Sequence, residues 1–258
     1  MTDRAVSEVI GFVLVFSLVL SSVSVVYVVG FGGLQDARDA EQLTNAERAF
    51  DVLADNMDDI HRDNAPNRAT EFKLYDARID VGDPVTFNVT VDNGTGTQSF
   101  SVDARPVVYA PTTGETTLRY LNGAVFRTGG SGSVLLNEPR FLFRESGGLR
   151  TAAFPLIETR PDGVNAIGGS TTVLIRADLA RAELLGSLPD AAGRYDVTFR
   201  VETAAARAPT WERFLEAELN DAYGDADRCT VSGGTVECAF ETDRLYVSAT
   251  RIDVAIDS

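Results

Sequence analysis

The sequence predicts an α+β chain. A long N-terminal helix, membrane-spanning and then amphipathic, is followed by a mostly antiparallel, sandwich-like β-rich domain with one short helix. Three observations carry this. Residues 9–35 hold no charged side chain, and roughly 20 apolar residues in a helix suffice to cross a bilayer core. Residues 34–62 then carry apolar side chains at helical spacing, without a proline. From Glu71 onward, short runs of alternating apolar and polar residues follow one another between Gly, Pro and Asp turns.

The first segment, residues 6–33, is built mostly of Val, Leu, Ile and Phe. In water such β-branched residues favour strands. In lipid an isolated segment can satisfy its backbone hydrogen bonds only as a helix, so this stretch is read as a transmembrane helix in contact with membrane lipid. The run is too long for a secretory signal peptide, and no A-x-A cleavage motif follows it. Gly30, Gly32 and Gly33 fall where the span leaves the membrane and are expected to weaken the helix there. Arg4 precedes the span, while Asp36 and Asp39 follow it. Cytoplasmic flanks favour Arg and Lys, so the N-terminus is expected inside and the large domain outside.

Helix is expected to resume over residues 34–64. Leu43, Ala46, Phe50, Leu53, Met57 and Ile60 are spaced 3-4-3-4-3 and share one stripe. Such a stripe must bury against something. Either the chain's own outer domain covers it, or the same helix of another copy does, with Leu43, Phe50, Leu53 and Met57 as assembly contacts. Pro66 closes the helix.

Residues 65–258 read as the outer β domain. Strand-like runs include EFKLYDARIDV, PVTFNVTVDNGTG, QSFSVDARPVVY, STTVLIRADL, RYDVTFRVET and RLYVSATRIDVAID. Closely spaced short strands with Gly-rich turns suggest a sandwich or a strongly bent sheet. One helix interrupts them, PTWERFLEAELNDAYG, with Pro209 near its start, Gly224 after its end and Trp211, Phe214, Leu215 and Leu219 on its buried face. Cys229 and Cys238 are the only cysteines and flank a hairpin sequence, CTVSGGTVEC. They are either a disulfide closing that hairpin in an oxidising compartment or two free thiols. Asn88 and Asn93 begin two N-x-T sequons near the turn Asp92-Asn93-Gly94, which is expected to be exposed to a glycosylating enzyme.

Composition excludes some functions. The net charge is −15, from 38 acidic and 23 basic residues, and Lys73 is the only lysine. An acid-rich, Lys-poor surface stays hydrated in concentrated salt. It lacks the basic patches that neutralise phosphates, so nucleic acid is not expected as a partner. No G-x-S-x-G elbow, phosphate-binding loop or dinucleotide fingerprint occurs, so no enzymatic activity and no cofactor are expected. The single histidine, His61, lies beside Asp58, Asp59 and Asp63 and reads as a solvated surface residue. Two cysteines without partner ligands fall short of a metal site.

The residues before the span are more specific. Arg4-Ala5-Val6-Ser7-Glu8-Val9-Ile10-Gly11 resembles the class III, prepilin-type leaders of haloarchaeal type IV pilin-like proteins. The resemblance implies a leader over residues 1–5, recognition of Arg4 and Ala5 by a prepilin peptidase, and Val6 as the new N-terminus. It further implies assembly through the N-terminal helix with further copies or with other pilin-like subunits. In well-known pilins a glutamate at the fifth mature position meets the terminal amine of a neighbour. Here Glu8 would be the third mature residue, so it is either an assembly contact or a carboxylate at the headgroups. The outer domain is large for a bulk filament subunit, which favours a minor or accessory one. The other reading of the same residues is an anchored β-rich ectodomain that never polymerises and binds an envelope component or a small ligand.

Overall fold

The computed structural model describes residues 2–130, 132–189, 193–224 and 226–258, without the side chains of residues 2–9, Phe31 and Asp36. An unbroken helix α1 spans Thr2–Asp63, passing through the three glycines without interruption. It ends three residues before Pro66, in agreement with the restriction proline places on the residue preceding it. Contacts divide the chain into Met1–Asn45 and Ala46–Ser258. The boundary therefore lies inside α1. The β unit begins at residue 46 rather than 65, because the last turns of the helix are part of its core.

That unit holds three sheets. The first has the order β1 (Asn67–Lys73), β12 (Thr172–Leu188), β16 (Arg244–Asp257), β10 (Leu149–Pro161) and β9 (Leu142–Ser146). Its neighbours are antiparallel except β10 and β16, which run parallel over the whole length from Thr151↔Arg244 to Pro161↔Val254. The second is an antiparallel sheet of β11 (Ala166–Gly169), β2 (Ala77–Val81), β5 (Val107–Pro111), β6 (Thr117–Leu121), β7 (Ala124–Gly129) and β8 (Gly132–Asn137). The third orders β14 (Cys229–Ser232), β15 (Thr235–Thr242), β13 (Tyr195–Glu202), β3 (Val85–Asp92) and β4 (Thr97–Ala104), again antiparallel. The expected fold class is what the chain adopts.

Alternation along a strand sends successive side chains to opposite faces, and the first sheet uses both of its faces. Toward the third sheet it presents Ala152, Phe154 and Leu156 of β10 and Leu245, Val247 and Ala249 of β16, all within one buried cluster. Phe154 meets Phe199 of β13 at 4.6 Å between ring centroids, and Phe143 of β9 meets Phe240 of β15 edge-on at 5.5 Å. These two sheets form the expected sandwich. The second helix, α2 (Ala208–Tyr223), buries Trp211 against Phe87, Phe126 and Phe141 at 5.3–6.3 Å. Gly224 takes the left-handed conformation that ends it.

The opposite face of the first sheet receives the last turns of α1. Thr70, Ile175 and Ile256 lie directly across from one another on β1, β12 and β16 and are all buried. Phe50 of α1 packs edge-on against Phe72 of β1 at 5.4 Å. Asn56 donates to the Thr70 hydroxyl at 2.9 Å. Ion pairs of Glu47 with Arg127 and of Asp58 with Arg140 tie the helix margins to the second sheet and to the loop before β9.

Candidate membrane and assembly surface

In α1 two kinds of apolar surface follow one another along a single helix. From Ile10 to Val29 the large apolar side chains are 50–72% exposed. Folded proteins do not leave a continuous apolar cylinder of this size in water, whereas lipid tails or a neighbouring apolar helix would cover it. Two of the serines within the segment bond back to the helix backbone. The Ser22 hydroxyl donates to the Val19 carbonyl and that of Ser24 to the Leu20 carbonyl, each at 2.8 Å, so neither is left unsatisfied in hydrocarbon. The helix is long and apolar enough to cross a membrane.

The stripe behaves differently. Ala46, Phe50, Leu53, Met57 and Ile60 are at most 7% exposed, all within the β unit. Phe50, Leu53 and Met57, expected as assembly contacts, are thus buried within the chain's own β unit, and Phe50 meets Phe72 of the first sheet. Leu43, in the first unit, is half-buried. The side chains of Arg4, Ala5, Val6 and Glu8 lie outside those described; only their helical backbone is seen.

His61 is not a solvated surface residue either. Its Nδ1 lies 2.7 Å from the Thr250 hydroxyl of β16. Burial pushes its pKa below the ordinary imidazole value, against a weaker opposing pull from Asp58. The cavity beside it, also lined by Asp58, Asn122 and Arg140, has a volume of about 20 Å³, room for about one water. Among the described residues no group of three or more His, Cys, Asp or Glu is placed to hold a metal.

Cys229 and Cys238 face each other across the β14–β15 hairpin and are joined by a disulfide, with Cα atoms 4.0 Å apart. Only glycine fits at Gly234 in the connecting turn, since a Cβ there would come within 2.1 Å of the Thr203 carbonyl oxygen. Glu216 of α2 accepts the backbone N–H groups of Arg228 and Cys229 at 2.8–3.2 Å, fixing the start of the hairpin. The two sequons part company. Asn93 sits exposed in the β3–β4 turn, its Oδ1 accepting from Thr95 and Gly96. Asn88 is not at the turn: it lies within β3, donating to Ser99 and accepting from the Thr90 hydroxyl.

Residues 4–255 match a family of unknown function, DUF7289. The chain belongs to this family. No curated protein and no solved structure matches it. The match spans both the apolar helix and nearly all of the β unit, so the two are joined as a family trait and not as an accident of this chain.

Proposed function

We propose that this chain is a pilin-like surface protein, a minor or accessory subunit of a type IV pilus-like filament in a salt-adapted archaeon. A prepilin peptidase cuts between Ala5 and Val6, and the apolar part of α1 first anchors the protein and then packs with helices of other subunits. The β unit lies outside the cell, where a hairpin disulfide is stable. The observation that carries this reading is the exposed, uncharged helix directly after the Arg4–Gly11 leader sequence. With the stripe buried in its own domain, assembly rests on residues 10–29 and not on residues 43–60.

A second reading is favoured by that same burial. A β unit that covers its own stripe needs no neighbour, so the chain also suits a single-pass anchor carrying a non-polymerising extracellular domain. Mass spectrometry of the mature N-terminus, from membranes and from sheared surface material, separates the two. A start at Val6 that is blocked by Ala5→Leu supports the filament subunit. A start at Met1 or Thr2 in both fractions refutes it and leaves the anchored ectodomain.

A further inference from the structure

The β unit contains a second feature that the anchor does not use. Between the second sheet and the N-terminal end of α2 lies a cleft of about 450 Å³, within the range of small-molecule sites, roughly 300–1,000 Å³. Arg119 of β6 and Arg207, just before α2, line it and act on one another as like charges. In so acidic a chain, neither guanidinium has an ion pair or hydrogen bond among the described residues. Burial is the main cause that lowers both pKa values, that of Arg119 to about 10, with Arg207 adding to the effect at Arg119.

Two further atoms in the cleft wall are orphaned. The Arg207 Nε and the Thr203 hydroxyl are buried without a partner. A buried donor without an acceptor is costly, and in a native structure such a group is explained by strain, by a catalytic role or by a bound water or ion. The first turn of α2 carries no acidic side chain, so the positive end of the helix is uncompensated as well.

Three carboxylates complete the lining, Asp80, Asp83 and Glu202. Asp80 pairs with Arg78 at 3.4 Å, and Asp80 and Asp83 also act on Arg119 as nearby opposite charges, more weakly than its burial. With three acids around two bases, a multiply charged anion such as a phosphate dianion would be repelled. A single negative charge beside the two guanidiniums is opposed less than a double one, and carboxylates accept well from hydroxyl groups on the same molecule.

We propose that this cleft binds a singly charged, polyhydroxylated anion of monosaccharide size, of the uronate class, with Arg119 and Arg207 on its carboxylate and Asp80, Asp83 and Glu202 on its hydroxyls. The cleft lies wholly within the β unit, so the inference stands whether or not the chain enters a filament. As a surface domain it would recognise an acidic saccharide of an envelope or of a neighbouring cell.

The test is calorimetric titration of the full chain in detergent micelles with glucuronate, glucose and inorganic sulfate. It is run at the lowest KCl concentration that preserves the β-sheet circular dichroism. Saturable glucuronate binding is expected, at least tenfold tighter than that of glucose or sulfate. Arg119→Gln and Arg207→Gln should each weaken it at least tenfold. Arg119→Gln should leave the thermal midpoint unchanged or higher, because the burial cost of its charge outweighs the pull of Asp80 and Asp83 and no ion pair or hydrogen bond is lost. Equal affinity for sulfate and glucuronate would overturn the sugar assignment. Absence of glucuronate binding, or binding undiminished in both variants, would overturn the site itself.

Discussion

His61 is the only histidine in the chain, and its ring belongs to the β unit's core margin. Its folded pKa lies below the ordinary value of 6.5. Between those two values the unfolded chain binds more protons than the folded one, so stability rises with pH across that window. The contribution is complete above about pH 6.5 and shrinks as pH falls toward the folded value. His61→Gln removes the titration and the hydrogen bond to Thr250. At pH 7.5 the variant should be less stable by about 1 kcal/mol, and the gap should narrow by pH 5. Denaturation midpoints of the two proteins at both pH values check this; a gap that widens on acidification would reverse the assignment. Nothing near His61 in sequence announced the role. Its neighbours there are Asp58, Asp59 and Asp63, whereas its partner Thr250 stands 189 residues away.

At the scale of elements, the stripe on α1 is the part most tied to the fold. Leu53 is 1% exposed, so Leu53→Ala should cost about 2–5 kcal/mol. Leu53→Asp should cost at least as much, by burying an unpaired charge. The loss should appear in chemical denaturation of the dispersed monomer in detergent. A variant that keeps its stability in the monomer and fails only in assembly would return the stripe to an interface. The stripe itself was legible in the sequence, because a 3-4 spacing repeats over five turns; which surface covers it was not, because spacing carries no information about distant strands. The α2 helix was legible for the same reason, with Pro209 and Gly224 marking its ends. The second half of β12 was not. Residues 180–188 are rich in Ala, Arg, Glu and Leu, which favour helix. They form strand because β16 runs alongside them to Leu245, with register shifts near Ala180 and Leu185. A Cβ at Gly186 would come within 2.5 Å of the Phe100 ring, which would have to move aside. The parallel pairing of β10 and β16 was likewise invisible, because it joins strands far apart in the chain.

For the whole molecule, the division at Asn45–Ala46 makes the strongest claim. If the β unit truly includes the end of α1, two truncations that differ by less than twenty residues should behave in opposite ways. Residues 46–258 retain Phe50, Leu53, Met57 and Ile60, which close the helix-facing side of the first sheet, and they shed the exposed apolar surface of residues 10–29. This fragment should be soluble without detergent, monomeric by light scattering, and cooperative in thermal unfolding with a midpoint close to that of the full chain. Residues 65–258 lack the covering turns and expose Phe72, Ile175, Val254 and Ile256 on an open sheet face. Uncovered apolar sheet faces drive association, so this shorter fragment should aggregate or unfold non-cooperatively. Both fragments need salt in the assay, since each keeps an excess of acidic over basic residues and repels itself at low ionic strength. Equal behaviour of the two fragments would mean that the last turns of α1 are dispensable to the β unit and free to meet a neighbouring subunit. In that case Phe50, Leu53 and Met57 would regain the assembly role that their burial here denies them.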